Sequence, residues 1–217
     1  MKTGTKKTLL AVAVLKYLVI ALLLFTTHSH AAPPAMPLSA QDSADLQRVA
    51  AYLNSVPRME SRIVQMNPDG SVVHGLLKIM RPGKLRLDYD PPINSQLVAD
   101  GAFVHYWDAP MSETSSVPQG NSPASLILAA QVDFTRGMTI TNIRRQDNTL
   151  EISLYKTDDP GNGILTLVFE DNPLLLKQWY VVDSQGATTK VTLQNVNFNP
   201  AFSGNTFIYS PPRRDKR

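Results

Sequence analysis

From residue 58 onward the chain is cut into short runs by turn sequences, and many of the runs alternate apolar and polar residues. Lys84 to Tyr89 is the clearest: Leu85, Leu87 and Tyr89 fall on one side, Lys84, Arg86 and Asp88 on the other. Arg81-Pro82-Gly83 precedes this run and Asp90-Pro91-Pro92 stops it. A period of two places alternate side chains on opposite faces of a strand. Asn67-Pro68-Asp69-Gly70 divides runs 58–66 and 71–80, with proline presetting φ and glycine accepting positive φ. Residues 95–99 and 102–107 flank Asp100-Gly101 as a hairpin. Further runs near 138–145, 149–156, 163–170, 174–183, 187–195 and 205–209 are separated by turns rich in Asp, Asn, Pro and Gly. About eleven strands joined in chain order by short connections predict a single antiparallel sheet, curved or rolled into an incomplete barrel. The chain carries no internal repeat and no second domain.

Two segments depart from this pattern. In residues 40–55, Leu46, Val49, Ala50 and Leu53 recur at helical spacing, with Asp42, Asp45, Gln47, Arg48 and Asn54 off the stripe. Ser39 and Asp42 have capping-box spacing, and Pro57 ends the helix. Residues 123–130 predict a second, short helix with proline at its start and little polar relief around Leu126, Ile127 and Leu128. The stretch 108–122, rich in Ser, Pro and Gly, reads as a loop. Two short helices are little cover for so many apolar strand faces. Either a concave apolar surface remains for a ligand or the helices plug it into a plain core, and the pattern alone leaves both open.

The N-terminus combines Lys2, Lys6 and Lys7, an apolar run from Leu9 to Phe25 broken by Lys16, and small residues up to Ala31-Ala32. This is a secretory signal peptide over residues 1–31, cleaved after Ala31. The uninterrupted part, Tyr17 to Phe25, is well short of the roughly 20 apolar residues a membrane span needs. A linker with Pro33, Pro34 and Pro37 (residues 32–39) leads into one domain over 40–212, followed by a basic tail over 213–217. The signal holds four lysines and no acid, so its loss turns a net charge of +3 into −1. The tail carries +3, which leaves 32–212 at −4 and gives nucleic acid no attraction. There is no cysteine, so an exported domain of this size must hold together by core burial, and the chain has no site for an N-terminal lipid.

Catalytic patterns are missing. His74 and His105 each lack a second ligand at metal spacing, no G-x-S-x-G occurs, and neither type of phosphate loop is present. Asp88 with Asp90, and Asp158 with Asp159, read as solvated or turn residues rather than acid–base pairs. No metal, cofactor or catalytic residue is expected.

The stretch from Gly75 to Pro92, with its R-P-x-x-L-R-x-x-Y core, followed by Leu97-Val98-Ala99-Asp100-Gly101, resembles the periplasmic outer-membrane lipoprotein carrier family (LolA type). Leu175 to Gly186 and Thr206 to Pro212 resemble it in the same order. The resemblance implies a mainly β fold: an unclosed antiparallel β-barrel whose short α-helices form a lid over an apolar cavity for lipoprotein acyl chains. It implies a periplasmic monomer that takes acylated lipoproteins from an inner-membrane ABC-type release complex and passes them to an outer-membrane acceptor lipoprotein. The acceptor is normally anchored through a lipidated cysteine, so the soluble carrier is favoured. Leu85, Leu87 and Tyr89 would face the cavity, joined by Val104 and Tyr106. Arg81 would hold the lid through its backbone, with Leu46, Val49, Leu53, Leu126 and Ile127 as the lid's apolar side. Met80 stands where many members carry a basic residue, and a C-terminal segment found in some members looks missing or reduced. The competing readings are a lipid- or lipoprotein-sensing regulatory module of the same fold, and a hydrolase in which His74 or His105 meets a carboxylate or serine.

Overall fold

The computed structural model describes residues 32–121 and 123–210, so the expected export signal, the basic tail and the last residues of the expected domain lie outside the described residues. Each turn sequence does what its chemistry predicts and ends a strand. Those strands are β1 (Arg58–Met66), β2 (Val72–Met80), β3 (Lys84–Tyr89), β4 (Gln96–Asp100), β5 (Phe103–Asp108) and β6 (Glu113–Pro118), then β7 (Met138–Gln146), β8 (Thr149–Lys156), β9 (Ile164–Glu170), β10 (Leu175–Val182) and β11 (Thr188–Asn197). All eleven form one antiparallel sheet in the order β6-β5-β4-β3-β2-β1-β11-β10-β9-β8-β7. Two meanders are thus joined where β1 pairs with β11. β6 and β7 are left as outer edges, so the barrel is not closed.

Curvature comes from bulges in β7, β10 and β11. Opposite the β11 bulge the buried Ser61 hydroxyl of β1 donates to the Gln194 carbonyl at 2.9 Å and accepts from the Gln194 N–H at 3.1 Å, replacing ladder bonds that the bulge displaces.

Three expectations are corrected. The loop read over 108–122 contains β6, whose six residues are all exposed. The strand read at 205–209 is absent: residues 204–207 form a turn and the rest is irregular. The second helix is a short 3-10 helix, Pro123–Leu128, rather than an α-helix.

The one α-helix among the described residues, α1 (Ala40–Ser55), starts at a formed capping box in which Ser39 and Asp42 exchange bonds. Its stripe of Leu46, Val49 and Leu53 is buried. Asp42 and Asp45 lie off the stripe and are buried as well, because Arg145 of β7 bridges them at 2.7 and 2.6 Å. Around this helix the second half of the sheet is solid. Leu150, Ile152 and Leu154 of β8, with Leu165, Leu167 and Phe169 of β9, are essentially inaccessible. Side chains of this kind stabilise by about 1.5–3 kcal/mol each when fully buried.

The convex side holds a smaller cluster. Val98, Trp107 and Phe207 are buried without joining the main core. Phe202 meets Phe207 edge-on at 5.2 Å. Tyr209 stacks on His105 at 4.6 Å and shares a 2.6 Å hydrogen bond with the Thr114 hydroxyl. The aromatic residues that make 205–209 look like a strand are therefore used to strap the sheet's outer face.

Candidate functional site

The first half of the sheet lacks the helix that fills the second. On its concave face, strand alternation turns Ile63 of β1, Leu77 and Ile79 of β2 and Leu85, Leu87 and Tyr89 of β3 inward. Leu97 and Ala99 of β4, Val104 of β5 and Val117 of β6 continue the same surface. Trp179 and Val191 close it toward the solid half, and Ser125, Ile127 and Leu128 of the 3-10 helix lie across it. These residues enclose a cavity of about 330 Å³. That is near the lower end of the ~300–1,000 Å³ common for ligand sites.

Polar groups in the lining are few. The Tyr89 hydroxyl donates to Gln65 Oε1 at 2.9 Å. Burial pushes the Tyr89 phenol up to about 12, against the opposing effect of its Gln65 hydrogen bond, so it stays neutral. The site has the chemistry to hold an apolar chain, and among the described residues no nucleophile–base pair faces it. A second cavity of about 410 Å³ lies between α1, residues 35–38 and residues 133–140. Its walls include Ser43, Gln47, Asp133, Thr135 and Thr139, so it suits an apolar ligand less well.

The cover is fastened at one turn. The Arg81 guanidinium donates through Nε to the Ala129 carbonyl at 2.8 Å, just past the 3-10 helix. Through Nη1 it donates to the Leu53 carbonyl, and through Nη2 to Asn54 Oδ1 at 3.2 Å, both at the C-terminal end of α1. The Gly83 N–H donates to the Leu128 carbonyl at 2.8 Å. Gly83 has φ +75, and a Cβ there would come within 3.0 Å of Gly101 Cα, so only glycine fits the turn without strain. Asn54 adds a third tie, exchanging bonds of 3.0 and 2.8 Å with the Val132 backbone. The Arg81-Pro82-Gly83 turn thus ties the covering 3-10 helix to the end of α1 through carbonyls left free at the ends of both. Partial burial lowers the Arg81 pKa.

Against this geometry the family model described as outer membrane lipoprotein carrier protein LolA matches residues 54–210. The chain belongs to the LolA family. A LolA-family relative from Methylobacillus flagellatus, an outer-membrane lipoprotein carrier protein, is 29% identical over 77% of this chain and 85% of its own. Another, with the same description, from Chromobacterium violaceum is 26% identical over 88% and 93%. A crystal structure of a DUF1329 family protein from Desulfovibrio piger shares the fold at a TM-score of 0.50 and 10% identity, covering 77% of this chain and 96% of that one.

Of the residues the LolA resemblance singles out, Leu85, Leu87, Tyr89, Val104 and Ile127 border the cavity. Tyr106 lies one inward position further along β5, opposite Leu97 and Ser115, and is not in the lining. Leu126 is buried beside Ile127 but does not border the cavity. Leu46, Val49 and Leu53 belong to the solid core instead, and Leu46 also borders the second cavity. Alternation in β1 and β2 could have given Ile63, Leu77 and Ile79. Nothing local signals Gln119, Ser125 or the tie made by Asn54.

The carboxylates are taken up singly, Asp88 by Arg86 at 2.8 Å and Asp90 by Arg62. His105 does meet a serine and a carboxylate, with Nδ1 2.8 Å from Ser116 Oγ and Nε2 3.2 Å from Asp100 Oδ2. It sits on the convex face, opposite in strand phase to Val104, under the stacked Tyr209 ring. That arrangement fixes the C-terminal strap and faces away from the cavity.

Proposed function

We propose that this protein is a periplasmic carrier that shields the acyl chains of lipoproteins in the β1–β6 cavity while they travel between membranes. It would receive cargo from an inner-membrane ABC-type release complex and deliver it to an outer-membrane acceptor lipoprotein. The observation that carries the reading is an apolar cavity covered by a 3-10 helix that an arginine turn fastens. Family membership supports lipoprotein binding, and carriers of this family are binding proteins without a reaction of their own. An acyl chain gains ~0.8 kcal/mol per buried CH₂, so it crosses water only inside a container. A container must also open. Here that means breaking a handful of hydrogen bonds around Arg81, with no need to open a closed ring of strands.

The test mixes residues 32–217 with inner-membrane vesicles carrying a radiolabelled triacylated lipoprotein, ATP and the release complex. Labelled lipoprotein in the soluble fraction as a one-to-one complex is the expected result. With Arg81→Leu the cover opens more readily and an apolar side chain is added at its hinge, so cargo should load yet pass poorly to acceptor. A folded protein that solubilises no lipoprotein would end the carrier reading.

A further inference from the structure

At the open edge of the sheet, two observations point to the same kind of ligand. The first is the hydrogen-bond phase of β6. The Gln119 N–H donates to the Ala102 carbonyl at 3.0 Å, which makes that pair hydrogen-bonded. Counting back along the β5–β6 register, Val117 and Ser115 also turn their backbone groups toward β5. Thr114, Ser116 and Pro118 turn theirs away, and proline at 118 fits a position with no N–H to give. Among the described residues no strand pairs with that outer side. β6 has neither a lysine nor a bulge to discourage pairing, and its Glu113 and Pro118 stand at its two ends, leaving the Thr114 and Ser116 amides between them facing outward.

The second observation is Gln119. Its side chain lines the cavity beside Val117, and its Oε1 is shielded from solvent with no hydrogen-bond partner. A buried acceptor without a donor costs free energy that a donor-bearing ligand would recover. An acyl chain has no donor. The amide joining acyl chains to a polypeptide does.

We infer that Gln119 and the outer edge of β6 form a subsite for the polypeptide part of the cargo. Gln119 Oε1 accepts from the amide at the acylated residue, and Thr114, Ser116 and Pro118 pair with the extended chain that follows. This rests on the carrier reading above and deepens it. The cavity and the edge are continuous through Val117, so a peptide attached to chains in the cavity leaves past β6. Main-chain pairing is indifferent to side chains, which suits a carrier whose cargoes differ in sequence.

The experiment uses the isotope-labelled mature protein with two probes, a tripalmitoyl-cysteinyl peptide with a polar extension and, as lipid alone, dipalmitoylglycerol, which has acyl chains but no amide. The peptide probe should slow hydrogen exchange of the Thr114 and Ser116 amides at least about tenfold, while the lipid alone leaves them fast. Ser116→Pro should weaken the peptide probe about fivefold and leave the affinity for lipid alone unchanged, which also shows that it folds. Gln119→Leu, altered in the cavity lining itself, should lower the affinity for the peptide probe relative to that for lipid alone about fivefold. Ser116→Ala, which keeps the N–H, should match the unaltered protein. If both probes bind but leave the two amides equally fast, the subsite does not exist although the carrier reading stands. If neither probe binds, the carrier reading has failed. Protection that appears without probe and grows with protein concentration would assign the edge to a second copy of the chain and overturn the inference.

Discussion

Single residues set the limits of the cavity. Ala99 lies on β4 between Leu85 and Val104, fully buried, with its methyl group toward the empty space. A larger side chain there fills volume a ligand would use and presses on the core neighbours of Ala99. Ala99→Trp should therefore abolish binding of a fluorescent fatty acid and cost about 1–3 kcal/mol in denaturant unfolding, leaving the protein folded. A variant that binds as before would show that the ligand lies elsewhere. Gly75 has less room still. A Cβ on it would meet the Asp88 carbonyl oxygen at 2.7 Å and Leu87 Cδ1 at 2.9 Å, and the first of these is backbone that cannot yield. Gly75→Ala should cost about 1–3 kcal/mol in denaturant unfolding. An unchanged midpoint would mean that β2 and β3 can separate locally.

Elements differ in what anchors them. α1 is held at its C-terminal end by Arg81 and at its start by Ser39, Asp42 and Arg145. The Ser39 hydroxyl, then Arg145, hold the Asp42 carboxyl at about 2, below the ordinary 3.8. A carboxyl depressed on folding stabilises above its unfolded value, and that contribution is lost as pH falls from 3.8 through about 2. Thermal midpoints should thus fall more steeply across this window in the unaltered protein than in Asp42→Asn, and parallel curves would refute the anchor. The amphipathic stripe and capping box of α1 are legible in the sequence, as are the strands bounded by Pro, Gly, Asn and Asp. β6 is not, because an edge strand exposed on both faces has no apolar alternation to display. Residues 205–209 mislead for the converse reason, since their aromatics pack on a sheet face without joining a ladder. At the site, the apolar face of β3 can be read from period two alone. The Asn54 tie to Val132 spans 78 positions, and Gln119 lies in a segment without periodicity, so only the assembled fold reveals them.

Over the whole molecule, one continuous sheet carries two unlike halves. β7–β10 close on α1 with side chains that are almost inaccessible, whereas β2–β6 surround unfilled space beneath a 3-10 helix. The Tyr52 ring meets Phe169 edge-on at 5.9 Å, and its hydroxyl accepts from the Leu176 N–H at 3.2 Å, so the helix is fixed to the solid half as well as to the Arg81 turn. Opening can therefore proceed by moving the 3-10 segment and the outer strands while α1 stays seated. Local stability follows packing, because a segment with fewer buried contacts opens at lower free energy. Amide exchange should be slowest in β8 and β9 and much faster in β4–β6, with the two halves opening separately. Palmitate in the cavity should slow exchange in β3–β5 about tenfold and leave β8 and β9 as they were, since only the first half gains contacts. Equal slowing in both halves would mean that the sheet opens as one unit, and the β1–β11 junction would then transmit strain between halves instead of isolating them.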